Sequence, residues 1–371
     1  MSGAVVHEWV ELAGGSERVV DAVLGATGAT DLYCLWDNSG GRFGEGVRIT
    51  ESHLARTPLR GRKAAALPIM PAAWRSIRAN AHHDWLFVSS HLFAHHVRLR
   101  GISARTPKYV YVHTPARYIW APELDGRGTG FIPRAISRTL KPLDRARSGE
   151  AASLMANSEF IRARISEAWR QDAGVLYPPV EVAALQAVPD WSRDLSDIES
   201  SILHSLPEGF VLGASRFVPY KRLDWVVKAA EAADVPVVLA GGGPEVGSLR
   251  RLLEKASVPG FLVERPSDAL LYALYQRARA FVFPAIEDFG IMPVEAQALG
   301  TPTVTTSFGG ATETVSDGVS GAIAEEDTVA GVARALTSVL DSSSLTPAAH
   351  AQKFSRERFE KGLQTWLPVH A

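Results

Sequence analysis

A chain of 371 residues, 46% hydrophobic and 21% charged, is too long for one ordinary core, since domains usually run to roughly 100–200 residues. It is also too apolar to be disordered or fibrous. Thirty-nine Lys plus Arg against 40 Asp plus Glu give no support to a generic nucleic-acid binder, and the single Cys34 excludes an internal disulfide and, with no Cys/His set of zinc-site spacing, points to a reducing cytoplasm. The first residues lack a basic stretch followed by an apolar one, so no signal peptide is expected, and no apolar run approaches the ~18 residues that span a bilayer.

Along the first half, short apolar runs predict strands at 4–9, 31–36, 85–89, 109–113 and 152–156, with helices near 16–25, 72–81, 130–147 and 159–169. Tyr177-Pro178-Pro179-Val180 stiffens the exit, and the Ser/Asp-rich stretch 188–207 reads as the linker. The second half is more regular. Strands are expected at 210–214, 235–240, 260–263, 280–284 and 301–305, alternating with helices near 222–233, 245–256, 268–278, from 290, and 328–340. Runs that are apolar on both faces belong to parallel strands covered by helices. The organisation expected is α/β: a Rossmann-like unit over 1–187, a linker over 188–207, a second doubly wound unit over 208–345, and a helical tail over 346–371 that crosses back to the first unit. Two such units carry their ligand crevices at the carboxyl ends of their strands, and facing one another they would make one cleft.

The most informative stretch follows the strand at 280–284 and opens a helix: Glu287-Asp288-Phe289-Gly290-Ile291-Met292-Pro293-Val294-Glu295. Gly290 permits a tight turn, and the N–H groups of Gly290, Ile291 and Met292 form a phosphate or sugar-hydroxyl site. Glu287 and Glu295 are placed to hold hydroxyls, although acids at a helix start also favour its dipole. Upstream, Ser215-Arg216 to Lys221 joins the first strand of the same unit to its first helix. Arg216 and Lys221 there suit a diphosphate, both for binding and for the charge that grows on it as it leaves. In the first half, Gly14-Gly15 lets backbone approach a phosphate or sugar, while a plain turn with Ser16 as N-cap explains the same residues. His113 ends a strand and could bond a sugar or acceptor hydroxyl. The pairs His82-His83 and His95-His96 are read as structural or surface residues with diverging side chains. No Asp-x-Asp pair occurs, so no metal and no cofactor are expected.

Glu287 with seven residues before Glu295, and Ser215-Arg216 to Lys221, resemble the GT-B glycosyltransferases of family 4, retaining enzymes that use nucleotide sugars. The resemblance is strongest over 209–325. It implies that Glu295 binds the ribose hydroxyls, that Glu287 contacts the donor sugar or the reacting region, and that the loop at Gly14-Gly15 closes over the donor diphosphate. It also implies a histidine at the place of His113 and a nucleobase site around Arg265. The phrases around His113 and Lys221 look like mannosyltransferase-type members, so GDP-mannose is the favoured donor, a UDP-sugar the alternative, and a glycan or lipid-linked hydroxyl the acceptor. A nucleotide-sugar epimerase or a non-catalytic subunit on the same fold are the competing readings. From His91 to Arg147, eleven Lys/Arg (98, 100, 105, 108, 117, 127, 134, 138, 141, 145, 147) face three acids, Glu123, Asp125 and Asp144. Such a surplus suits an anionic lipid or lipid-diphosphate acceptor, at about 1 kcal/mol per basic group near an anionic membrane, or an ordinary solvated face. A cytoplasmic protein touching the inner face of a membrane peripherally is the expectation that results.

Overall fold

The computed structural model describes residues 2–12, 14–120 and 131–368, with the backbone alone over 131–136. The chain forms two units, Met1–Pro179 with Arg356–Ala371, and Val180–Ser355. In the first, β1 (Gly3–His7), β2 (Asp31–Cys34), β3 (Arg48–Glu51), β4 (Trp85–Ser90), β5 (Lys108–Val112), β6 (Ser153–Ala156) and β7 (Gly174–Val175) form one sheet in the order β3-β2-β1-β4-β5-β6-β7. Every pairing is parallel. In the second, β8 (Val211–Arg216), β9 (Val237–Gly242), β10 (Gly260–Glu264), β11 (Ala280–Phe283), β12 (Thr303–Thr305) and β13 (Gly321–Ile323) take the order β10-β9-β8-β11-β12-β13, again parallel throughout.

Both orders reverse after the first strand, the doubly wound pattern in which ligands bind at the carboxyl ends of the strands flanking the reversal. These strands are β1 and β4 in one unit, β8 and β11 in the other. Strands β2, β4 and β11 are buried along their whole length, because helices cover both faces. The strands the sequence does not announce are edges or nearly so. β3 (Arg-Ile-Thr-Glu) lies at one edge of its sheet, β7 has two residues, and β13 has three. The first is polar, and the other two are too short to stand out.

Residues 188–207 are not an open linker. They hold a 3-10 turn at Trp191–Asp194 and a helix at Asp197–Ser205, opened by a reciprocal capping box between Ser196 and Glu199. Trp191 meets Tyr272 edge-on at 4.8 Å, and its backbone N–H donates to Gln276 Oε1 at 2.9 Å. The Ser and Asp residues that suggest flexibility are caps and turn acceptors. The chain passes between units at Pro179–Val180 and again at Ser355–Arg356. Of the tail, Pro347–Ala351 stays with the second unit, while the helix Arg356–Trp366 joins the first. Its Phe359 and Leu363 are buried in the cluster that contains Val19, Val23, Phe87 and Tyr111, and Trp366 Nε1 donates to Ser153 Oγ at 2.8 Å. Among the described residues no helix is long and apolar enough to cross a membrane.

Candidate active site

In the second unit, β8 ends on the exposed Arg216, and the chain turns through buried Phe217 into the 3-10 turn Pro219–Lys221. Arg222 then takes a left-handed conformation (φ 52°) and caps the helix Leu223–Ala232. That backbone costs roughly 1–2 kcal/mol outside glycine. It is held by the Arg222 guanidinium, 2.5 Å from Asp327 and 4.5 Å above the Trp225 ring. The turn sends Lys221 inward, where it is only 7% exposed. Its ammonium is ion-paired with Glu287 Oε1 and stands 5.5 Å from the Phe283 ring. Arg216 is exposed and donates to Tyr220 Oη at 2.5 Å.

Glu287 lies on the loop after β11. Its carbonyl accepts the Gly310 N–H at 2.7 Å, and a Cβ on Gly310 would fall 2.0 Å from the Asp288 carbonyl oxygen. Gly309-Gly310, after β12, therefore clamps the backbone that carries Glu287. Sequence reasoning passed over this pair, although Gly-Gly shortly after a strand was the available signal. Gly290 (φ 112°) caps the helix Ile291–Ala298 without any side-chain cap. The first-turn N–H groups of Ile291 and Met292 are left to a ligand or solvent, and Pro293 has none. Glu295, one turn further, is buried. Arg265 is exposed beyond β10 with φ 49°, its N–H bonded to Gly241 O at 2.8 Å and its side chain lying over Gly242. Arg216, Lys221, Glu287, Gly290, Ile291, Met292 and Glu295 thus gather where β8 and β11 end, at the reversal of the strand order.

The first unit builds a second polar centre where β1, β4 and β5 end. His113 Nε2 and His7 Nδ1 both bond Ser89 Oγ, at 2.8 and 3.0 Å. The parallel register sets His7 beside Ser89. His7 Nε2 faces Glu17 Oε1 at 3.8 Å. Burial opposes the charge on Glu17, but the His7 imidazole and the Ser16 hydroxyl outweigh it and bring its carboxyl down to about 2. Burial holds His113 down to about 3, and it holds His91, whose ring is 6.3 Å away, well below the usual imidazole range. Gly14 (φ 170°) is extended, so it is glycine for space, because a Cβ there would lie 2.1 Å from Glu17 Oε2. Ser16 is not the cap expected. The cap position is Gly14, and Ser16 Oγ donates to Glu17 at 2.8 Å. Gly15 opens the helix Gly15–Thr27.

His95 and His96 do not diverge. They sit in a 3-10 turn rather than on a helix or strand, and both Nε2 atoms reach Asp144 Oδ1, at 3.1 and 3.0 Å. The other carboxylate oxygen accepts the indole N–H groups of Trp120 and Trp169, each at 2.7 Å. The three groups have the spacing of metal ligands. However, the two indoles occupy Oδ2 and the residues are buried, which is the environment of a hydrogen-bonded structural carboxylate. His83 is likewise buried and bonds Tyr33 Oη at 2.8 Å, whereas His82 is exposed.

The basic stretch is not one face. Lys108 is buried against the carbonyls of His95 and Val97 and against Glu150, and burial lowers its ammonium to about 8. Arg147 also pairs with Glu150. Lys141 and Arg145 lie 5.0 and 5.3 Å from the Trp120 ring, and Arg98, Arg100, Arg105 and Arg138 are exposed. The glycine loop 126–130 and Arg127 fall outside the described residues.

Residues 197–358 match the family Glycosyl transferases group 1. The D-inositol 3-phosphate glycosyltransferase of Salinispora tropica is 35% identical over 243 residues, 58% of this chain and 50% of that protein. The GDP-mannose-dependent alpha-(1-6)-phosphatidylinositol monomannoside mannosyltransferase of Mycolicibacterium smegmatis is 28% identical over 199 residues, 49% and 51% of the two chains. The matched region therefore spans about half the length of these relatives. Among solved structures, sucrose-phosphate synthase of Thermosynechococcus elongatus superposes with a TM-score of 0.72 at 15% identity, covering 98% of both chains. Anabaena HepE in complex with UDP gives 0.69 at 17% identity, covering 98% of this chain and 99% of the other. These likenesses establish the fold.

Proposed function

We propose that this chain, a GT-B protein of the glycosyltransferase family 4 type, moves a hexose from a nucleotide sugar to an acceptor hydroxyl with retention of anomeric configuration. The observation that carries the reading is the gathering of Lys221, Arg216, Glu287 and the Gly290-capped helix where β8 and β11 end. A buried ammonium, an exposed guanidinium and a helix N-terminus are the groups a departing diphosphate requires. In the free protein Glu287 neutralises Lys221. A donor diphosphate offers the same cation a second, stronger anion. Glu287 is then released toward the sugar, and Glu295 holds the ribose.

The acceptor oxygen bonds to the anomeric carbon on the face from which the diphosphate leaves. The glycosidic phosphate bond breaks, and the acceptor proton passes to the departing phosphate oxygen. The positive charge comes from Lys221, Arg216 and the helix, so no divalent ion is required in this scheme. GDP-mannose is the favoured donor, supported by the relative whose name carries it, with a UDP-sugar as the alternative. The acceptor is a glycan or lipid-linked hydroxyl taken by the first unit. Of the two relatives named above, one carries D-inositol 3-phosphate in its name and the other phosphatidylinositol monomannoside, and the exposed Arg98, Arg100, Arg105 and Arg138 suit an anionic acceptor or a peripheral seat on an anionic membrane. A thermal-shift screen of GDP-, UDP- and ADP-sugars tests the donor site, since a ligand that binds only the folded state raises its stability by mass action. One nucleotide class should raise Tm selectively in the wild type and not in Lys221→Ala. No shift with any of them would overturn the reading.

A further inference from the structure

The polar centre of the first unit contains a single shared proton whose direction can be worked out. Ser89 Oγ lies between His113 Nε2 (2.8 Å) and His7 Nδ1 (3.0 Å), and a hydroxyl has one proton to donate. It must donate to one imidazole and accept from the other. Glu17 breaks the tie. Its carboxylate accepts the Ser16 hydroxyl at 2.8 Å and the Glu11 N–H at 3.2 Å, so it is an acceptor on both oxygens. It faces His7 Nε2 at 3.8 Å in a site where His7 is fully buried. A bare nitrogen lone pair turned toward that carboxylate would be repelled at low local dielectric, so the single proton of a neutral His7 belongs on Nε2. His7 Nδ1 is then an acceptor and takes the Ser89 proton. Ser89 Oγ in turn accepts from His113 Nε2–H, leaving Nδ1 of His113 as a bare acceptor. That Nδ1 makes no hydrogen bond among the described residues. The His113 ring is fixed by the Tyr111 ring at 5.1 Å, while His91 closes the cluster at 5.8 Å from His7.

We infer that Glu17, His7 and Ser89 are positioning residues that fix the tautomer of His113, so that its imidazole presents an unprotonated Nδ1 to a substrate hydroxyl. That the hydroxyl belongs to a sugar rests on the transferase reading; the tautomer does not. The arrangement also ties His113 to the glycine loop, because Glu17 lies directly beneath Gly14. The role is that of a hydrogen-bond acceptor rather than a proton donor.

The full chain labelled with nitrogen-15 histidine, examined at pH 8 by long-range proton–nitrogen correlation, reads the tautomer directly, with His113→Gln identifying the signals. The wild type should show His113 with a protonated Nε2 and a bare Nδ1. In Glu17→Ala the carboxylate that holds the His7 proton on Nε2 is gone, so His7 takes either tautomer and the His113 proton should divide between Nε2 and Nδ1. Turnover of the donor should then fall by about twofold or more, as the fraction of His113 with a bare Nδ1 falls, with nucleotide affinity little changed. Ser89→Ala, which cuts the chain next to His113, should likewise give a mixture of His113 tautomers. A wild-type His113 protonated on Nδ1, a doubly protonated His7, or a single unchanged tautomer in both Glu17→Ala and Ser89→Ala would each overturn the inference. Absence of sugar transfer with the expected tautomer would instead count against the transferase reading alone.

Discussion

Lys221 and Glu287 form an asymmetric pair, and the asymmetry predicts how the two sites respond to substitution. The Lys221 side chain is 9% exposed, whereas the Glu287 side chain is 21% exposed. Glu287→Ala removes the ion-pair partner of a buried ammonium, a change that costs about 3–5 kcal/mol for a fully buried pair. With one edge open to water the expected cost is about 2 kcal/mol. Lys221→Ala leaves only a partly hydrated carboxylate and should cost about half as much. In the double variant both members of the pair are gone, so the coupling between the two changes should reach about 1 kcal/mol. Urea denaturation of the four proteins, followed by Trp191 and Trp225 fluorescence in the second unit, supplies the cycle. Activity should run the opposite way. Lys221→Ala should lose about 100-fold or more in turnover, the scale of one preorganised charge-stabilising donor, although it is the milder change for folding. Equal destabilisation by both substitutions, adding without coupling, would refute the reasoning.

Other consequences follow from buried groups outside that site. Asp144→Asn turns an NH2 toward donors that now share a carboxylate, and should destabilise the first unit by about 4 kcal/mol. Hydrogen exchange should rise in that unit and not in the second. Glu8 is buried with its Oε1 accepting the N–H groups of Leu92 and Ala94, and burial lifts its carboxyl to about 7. The folded chain therefore keeps a proton that the unfolded chain releases near 4.5, so stability falls as pH rises from about 4.5 to 7, by about 3 kcal/mol in total. Glu8→Gln should flatten that slope in calorimetric scans, and an unchanged slope would assign it elsewhere. Excess EDTA should leave turnover intact. Its complete loss would show that Lys221, Arg216 and the helix N-terminus do not suffice.

The parts of the account legible in sequence are those where local pattern and tertiary need coincide. Strands such as Ala280–Phe283 are apolar throughout because helices cover both faces, and the turn residues before the helix at Ile291 stand in one contiguous phrase. The relay in the first unit was hidden for the opposite reason. His7 and Ser89 are 82 residues apart and meet only through the register of β1 with β4, and Glu17 looks like any acid in a first helical turn. Asp144 reads as one of three acids in a basic stretch, yet it gathers His95, His96, Trp120 and Trp169 from three separate segments. The linker expectation at 188–207 failed because cap residues and linker residues have the same composition.

The central claim is tested most directly by nucleoside diphosphate release from the donor sugar that the thermal screen selects, measured with and without an acceptor, in the wild type and in Lys221→Ala. The account predicts release that rises with acceptor concentration in the wild type, accompanied by a glycosylated product of unchanged anomeric configuration, and that nearly vanishes in the folded Lys221→Ala protein. Release independent of acceptor, conversion of the donor to another nucleotide sugar, or full activity in Lys221→Ala would contradict it.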